Sequence, residues 1–172
     1  MPEEAGKSKL QQFAEILRAH QVEFIVIGGQ AEILMGGARV TFDVDLCYRR
    51  TPQNLENLAR ALQDLKPTLR GAPPDLKFRL DAQALALGNN YTFGTPIGDL
   101  DLLGYVEPLG GYEELLKHAT VERLGDLEVR VIGLDDLITI RQHLGRPRDR
   151  DSLYQLLAIR RIRNESKPPQ QP

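Results

Sequence analysis

The sequence predicts an α/β (α+β) domain with a central mixed β-sheet flanked by helices. Three observations carry this. Helical and strand-like periodicities alternate along most of the chain. The first strand pattern, Phe24-Ile25-Val26-Ile27, is apolar without a break, as suits a strand covered on both faces of a mixed or parallel sheet. Two later strand patterns each open with aspartates one residue apart, Asp43-Val44-Asp45 and Asp99-Leu100-Asp101.

Taken in order, residues 7–20 read as an amphipathic helix, with Leu10, Phe13, Ala14 and Leu17 on one stripe and Ser8 as N-cap. A strand over 23–27 stops at Gly28-Gly29, where the missing Cβ lets the backbone turn tightly and approach a ligand. Residues 30–35 form a short helix ended by Gly36-Gly37. A strand over 40–48 puts Val44, Leu46 and Tyr48 on one face and Asp43, Asp45 and Cys47 on the other. Arg39 and Thr41 share the acid face if the strand reaches back that far. Thr51-Pro52 starts a helix over 53–65 with a stripe of Leu55, Leu58, Ala59, Leu62 and Leu65.

The stretch 66–74 is a loop, and 76–80 alternates like a half-exposed strand; no pattern decides 81–90. Strands follow at 91–93 and 99–106, a helix at 112–118 and a strand at 127–132. Asp135 and Asp136 cap a helix reaching 144, Gly145-Arg146-Pro147 breaks it, and Asp149 or Asp151 starts a last helix to 163. One domain over 1–163 is expected, with a polar, proline-rich tail, 164–172, too poor in apolar residues to fold.

Composition narrows the function classes. The chain has 172 residues, 41% hydrophobic and 27% charged, which supports one core. A net charge of −2 and a pI near 5.9 give no global field toward nucleic acid or anionic membranes. Charge is uneven, though: residues 141–163 hold seven arginines against Asp149 and Asp151. That segment suits a local anion site or contact with RNA phosphates, and a solvated helix face is the plainer reading. Cys47 is the only cysteine, so no internal disulfide forms and a reducing compartment fits. No run approaches the about 18 apolar residues of a membrane span, and the N-terminus lacks a secretory pattern. A cytoplasmic protein with no membrane partner is expected.

The chemistry lies with the aspartates. Asp43 and Asp45 point to one side of their strand, and like charges so close repel unless a cation lies between them, which suits a divalent-metal ligand pair. A third acid comes from the later strand. Asp99 and Asp101 share a face, and Asp101, deeper and flanked by apolar residues, is the preferred one. Such acids clamp the metal ions that phosphoryl and nucleotidyl transfer need, and Gly28-Gly29 can present backbone N–H groups to phosphate. Taken singly, each feature also has a plain reading as a solvated strand start or a tight turn. Cys47 reads as a small buried hydrophobe. His20, His118 and His143 lack metal spacing.

The run GGQAEILMGGARVTFDVDL, with Gly28, Gly29, Arg39, Thr41, Asp43, Asp45 and Leu46, resembles the nucleotidyltransferase superfamily, whose fold is that of DNA polymerase beta. Within it the run looks most like the bacterial branch related to the AbiEii toxin component and the small stand-alone nucleotidyltransferases. The likeness continues through FGTPIG at 93–98, LDLL at 100–103, YEELL at 112–116 and the closing LDDLITIRQHLGRPRDRDSLYQL. It covers roughly residues 10–160. It implies two Mg²⁺ ions on Asp43, Asp45 and Asp101, and a nucleoside triphosphate donor contacted by Gly28, Gly29, Arg39, Thr41 and Arg141. Its usual chemistry passes a nucleoside monophosphate to a hydroxyl, here of a protein or RNA acceptor, and releases pyrophosphate. A toxin–antitoxin role, with an antitoxin partner or a homo-oligomer, belongs to the same expectation. The alternative is a catalytically inactive binding or regulatory module of the same fold. Two departures bear on that choice: Gly29-Gln30 stands where many relatives have Gly-Ser, and Arg141 where relatives often have lysine.

Overall fold

The computed structural model describes residues 6–73 and 75–170. The remaining positions lie outside it, including the start of the expected 1–163 domain, one position of the loop 66–74, and the end of the tail expected over 164–172.

The predicted elements form largely for the predicted reasons. In α1 (Lys9–Ala19), Ser8 caps the helix by accepting from the backbone N–H of Gln11, and Leu10, Phe13, Ala14 and Leu17 are buried. All four residues of β1 (Phe24–Ile27) are buried. The chain turns at once into α2 (Gly28–Leu34), so the helix begins on the first glycine and not after the pair. Then come β2 (Asp43–Tyr48) and α3 (Pro52–Leu65), where Thr51 caps and Pro52 fills the first turn. The apolar stripe of α3 runs through Leu55, Leu58, Ala61, Leu62 and Leu65, with Ala59 at its edge.

The remaining elements are β3 (Thr68–Leu69), α4 (Ala82–Leu87), β4 (Asn90–Gly94), β5 (Asp99–Leu103), α5 (Tyr112–Leu116), β6 (Thr120–Leu124), β7 (Leu127–Val131), α6 (Leu134–Leu144) and α7 (Pro147–Glu165). Seven strands make one mixed sheet, ordered β3-β4-β5-β2-β1-β7-β6. In it β2 runs antiparallel to β1 and parallel to β5, while β1 runs parallel to β7. The acid-bearing β2 is therefore the central strand, and its apolar face (Val44, Leu46, Tyr48) is fully buried.

Several expectations are corrected. The second strand begins at Asp43, not at residue 40. Upstream alternation persists, but β1 has already ended opposite Asp45 and β5 begins opposite Asp43, so no strand remains to pair with. Val40 and Phe42 are accordingly exposed, at 78% and 75%. The second strand with paired acids, β5, ends at Leu103, short of 106. Residues 76–80 form no strand; Phe78 and Leu80 pack on the core from an irregular segment, and β3 takes the edge beside β4. The undecided stretch 81–90 holds α4, capped by the Asp81 side chain.

Strand β6 was not foreseen. Its signal is Gly125-Asp126, a two-residue hairpin turn with Gly125 at φ +58°, which joins it to β7. Gly133 caps α6, and Asp135 and Asp136 lie in its first turn. Pro147 starts α7 two residues earlier than Asp149, which instead pairs reciprocally with the N-cap residue Arg146.

Candidate active site

The sheet register builds the site. Asp43 lies opposite Asp99 and Asp45 opposite Asp101 on the parallel pair β2 and β5, and Ile27, the last residue of β1, lies opposite Asp45 on the other side. The four acids thus meet where β1 hands over to α2. A turn sets the start of β5: Thr95 and Gly98 exchange backbone hydrogen bonds of 3.0 and 3.1 Å, and the Thr95 hydroxyl donates to the Gly98 carbonyl at 2.7 Å.

Gly28 stands at φ +65°, and a Cβ there would run into the Asp45 carboxylate. No other residue suits both demands. A Cβ on Gly29 would come within 2.9 Å of Thr41 Cβ, so the two glycines let the 37–42 segment and Asp45 close on the start of α2. That segment is braced from α7: Gln155 accepts from the Ala38 N–H at 3.0 Å, and Arg39 Nη1 donates to Ser152 Oγ at 3.0 Å. Arg39 and Thr41 therefore reach the site on a braced extended segment, although β2 does not include them.

The acids differ in state. The Asp45 carboxyl is raised to about 7, chiefly by burial, then by the charge of Asp101 and a hydrogen bond with it, and by Asp43; Arg141 works in the opposite direction. Burial also raises Asp101, against the opposing effects of Arg70 and of Asp45. Asp43 and Asp99 are more open to solvent. The two candidates that strand parity left tied differ in surroundings: Asp101 lies opposite Asp45 and is less exposed, whereas Asp99 lies opposite Asp43, and Arg70 bonds both.

Sequence reasoning missed Arg70. It follows β3 directly and lies among the acids: Nη1 bonds Asp99 and is 3.9 Å from Asp43, while Nη2 bonds Asp101. Nothing in the loop composition singled it out; its position follows from the pairing of β3 with β4.

Arg141 is 6% exposed and ties three helices together. Its Nε donates to Glu32 of α2 at 2.7 Å, and its Nη1 to Asp149 of α7 at 2.9 Å. Glu32 and Asp149 are themselves 2% and 0% exposed. Burial works against the charge of Asp149, yet hydrogen bonds from Arg146 and Arg141 hold its carboxyl below the usual range. Glu32 was invisible as a partner because it is 109 residues from Arg141 in sequence.

A cavity of about 520 Å³ joins these parts. It is lined by Gly28, Gly29, Thr41, Asp43, Asp45 and Asp101, and also by Arg39, Arg141, Arg146 and Arg148. The residues proposed from sequence for metal or nucleotide thus all reach one cavity, whereas the alternative third acid, Asp99, does not line it. Its volume falls in the range of about 300–1,000 Å³ of small-molecule sites. Arg160 pairs with Asp135 and Arg161 with Glu165, and neither lines the cavity. Cys47 is fully buried and its thiol pushed up to about 12, which removes it as a nucleophile.

The acids suit a metal by their chemistry. They are hard oxygen donors, and burial together with the charges of Asp101 and Asp43 raises Asp45 to about 7, a cost to ionisation that a bound cation would offset. As the side chains stand, no three acidic, histidine or cysteine side chains among the described residues close on a point that could hold an ion. The cation beside them is the Arg70 guanidinium.

No family model and no curated protein matches the sequence. Among solved structures the chain is similar to the lincosamide antibiotic adenylyltransferase LnuA in its lincomycin-bound form, with a TM-score of 0.60 and 15% identity over 88% of this chain and 96% of that one. It is also similar to a Thermotoga maritima protein described as a nucleotidyltransferase, with a TM-score of 0.54 and 14% identity over 87% and 90% of the two chains. The chain has the nucleotidyltransferase fold. At these identities the likeness concerns architecture, and the chemistry must be argued from the residues. No helix among the described residues is long and apolar enough to cross a membrane.

Proposed function

We propose that this chain is an Mg²⁺-dependent nucleotidyltransferase that moves a nucleoside monophosphate from a nucleoside triphosphate to an acceptor hydroxyl. One observation carries the reading: in-register aspartates, a glycine turn and a group of arginines line a single cavity. Asp43, Asp45 and Asp101 would hold the Mg²⁺, which when bound supplies the positive charge that neutralises the triphosphate and the developing charge on the leaving group.

The chain's own residues do the rest. Gly28 and Gly29 admit the donor close to the backbone, and Arg39, Arg146 and Arg148 offer charge to its phosphates. Arg141 braces α2, α6 and α7 around the site and lowers the cost of ionising Asp45. The acceptor oxygen bonds to the α-phosphorus, the bond to the β-phosphate oxygen breaks, pyrophosphate leaves, and the hydroxyl proton passes to the Asp101 carboxylate.

The finer assignments rest on the sequence resemblance. The Gly28-Gly29-Gln30 turn and the Arg39-to-Leu46 pattern support the AbiEii-like branch and, with it, a cytoplasmic toxin–antitoxin role with an antitoxin partner or a homo-oligomer. A protein or RNA acceptor belongs to that reading. The neighbour named for its antibiotic adds a small-molecule hydroxyl as a third acceptor class.

A second reading, a binding module without turnover, is favoured by a specific pair of contacts. Arg70 pairs with the acids, and Arg141 has Nε and Nη1 committed to Glu32 and Asp149. Incubation with labelled nucleoside triphosphates, Mg²⁺ and cell lysate separates the two. Transfer of label that is lost in Asp43→Asn and Asp45→Asn supports the enzyme; tight nucleotide binding with no transfer to any acceptor supports the module.

A further inference from the structure

We propose that Arg70 is an internal competitor for the divalent cation: its guanidinium holds the acids together in the metal-free protein and gives way when the ion binds. This rests on the reading of Asp43, Asp45 and Asp101 as metal ligands.

Three observations carry it. First, Arg70 bonds both acids of β5, Asp99 at 3.0 Å and Asp101, and approaches Asp43 of β2 at 3.9 Å. One guanidinium thus spans carboxylates of both strands of the parallel pair, where a plain surface ion pair would join one. Acids so close need a positive charge between them, and Arg70 is the one that touches them.

Second, the pose leaves a donor stranded. Arg70 Nε is buried without a hydrogen-bond partner, alone in this among the buried side-chain nitrogens and oxygens of the described residues. A stranded N–H has lost water and gained nothing in exchange. The bound pose is therefore a compromise, and release to solvent restores that hydrogen bond.

Third, the side chain enters from the sheet edge and stays 29% exposed. Its backbone is anchored separately, the Arg70 N–H donating to the Thr92 carbonyl at 3.0 Å. The guanidinium can therefore leave by side-chain rotation while β3 keeps its pairing with β4. A divalent ion carries twice the charge of arginine in a smaller radius, so it wins the carboxylates whenever its concentration is sufficient.

The test is Mn²⁺ titration by calorimetry without nucleotide, on wild type, Arg70→Gln and Asp45→Asn. Removing the competitor should tighten Mn²⁺ binding by about tenfold or more in Arg70→Gln, because ion entry no longer breaks charge-assisted hydrogen bonds. Equal or weaker binding by Arg70→Gln overturns the competition while leaving the metal reading intact. Absence of Mn²⁺ binding in wild type and Arg70→Gln alike overturns the metal reading, and the competition with it. Should Arg70→Gln not fold, the wild-type protein serves: on Mg²⁺ titration, nuclear magnetic resonance should show the Arg70 Nε–H signal, assigned with Arg70→Lys, moving to a freely rotating, solvent-exchanging state. A signal that keeps its slow exchange at saturating Mg²⁺ overturns the proposal.

Discussion

Asp45 and Asp101 stand directly opposite each other on parallel strands. Neighbouring parallel strands bring in-register side chains together, and here both are carboxyls in a largely buried setting. Burial and the neighbouring charges raise Asp45 to about 7, and burial raises Asp101 as well, so a proton is held on the pair well above the ordinary carboxylate range.

A pH dependence of stability follows. Since the folded protein raises the Asp45 pKa from 3.8 to about 7, it binds more protons than the unfolded chain between those values. The stability of the metal-free protein therefore falls as pH rises from about 4 to about 7 and levels off above, by on the order of 2–4 kcal/mol. Urea unfolding at pH 5 and pH 8 measures it. Asp45→Asn should reduce the difference, and saturating Mg²⁺ should recover most of the stability lost at pH 8. Equal stability of wild type at the two pH values would show that the pair titrates normally.

Gly28 should tolerate no side chain. Alanine there meets a φ of +65° and the Asp45 carboxylate together. Gly36, at φ +99° with open space around it, isolates the backbone contribution. Gly36→Ala is expected to cost about 1–2 kcal/mol, and Gly28→Ala distinctly more, with loss of nucleotide binding. Thermal melts and nucleotide titrations of the two variants compare them; similar melting and binding would mean that Asp45 simply swings aside.

The two later acids should separate in activity. Both bond Arg70, but Asp101 lies opposite Asp45 and lines the cavity, while Asp99 does not line it. Asp101→Asn should lower label transfer on the order of 10²–10³-fold, the scale of losing a principal electrostatic group. Asp99→Asn should keep activity within about tenfold of wild type. A steady-state assay decides, and the reverse ranking would move the third acid to position 99.

How much of this was legible in the sequence depends on how local each signal is. The buried stripe of α1, the unbroken β1 run and the paired acids of β2 follow from periodicity alone. The preference for Asp101 over Asp99 rests on its depth in the strand and its apolar neighbours, because strand parity alone treats the two alike. The structure adds that Asp101 is the less exposed of the two. The late start of β2 turned on where β1 stops and β5 begins, which alternation over 40–42 does not encode. Arg70 and the Glu32 partner of Arg141 arrive through long-range pairing, so their own neighbourhoods in sequence carry no trace of their roles. The hairpin turn Gly125-Asp126, by contrast, was a local signal that could have revealed β6.

Arg141 gives the sharpest test of whether a sequence-singled residue serves binding or architecture. Its Nε and Nη1 are spent on Glu32 and Asp149, two acids that are almost wholly buried. Removing a buried guanidinium leaves Glu32 with only the more distant Arg39, at 3.7 Å, and Asp149 with only Arg146, and breaking a buried pair costs up to about 3–5 kcal/mol. Arg141→Met is therefore expected to lower stability by roughly that amount. Lysine, with one nitrogen in place of a fork, cannot reach both acids with the same geometry and should rescue only part of the loss. In the double variant Arg141→Met with Asp149→Leu, one stranded charge is removed along with its partner, so the combined loss should be smaller than the sum of the single losses. A direct phosphate contact would instead appear as a weakened nucleotide affinity in a protein that melts like wild type. Denaturant midpoints read beside nucleotide affinities in the same variants distinguish the outcomes, because stability reports the ties among α2, α6 and α7 and affinity reports the cavity.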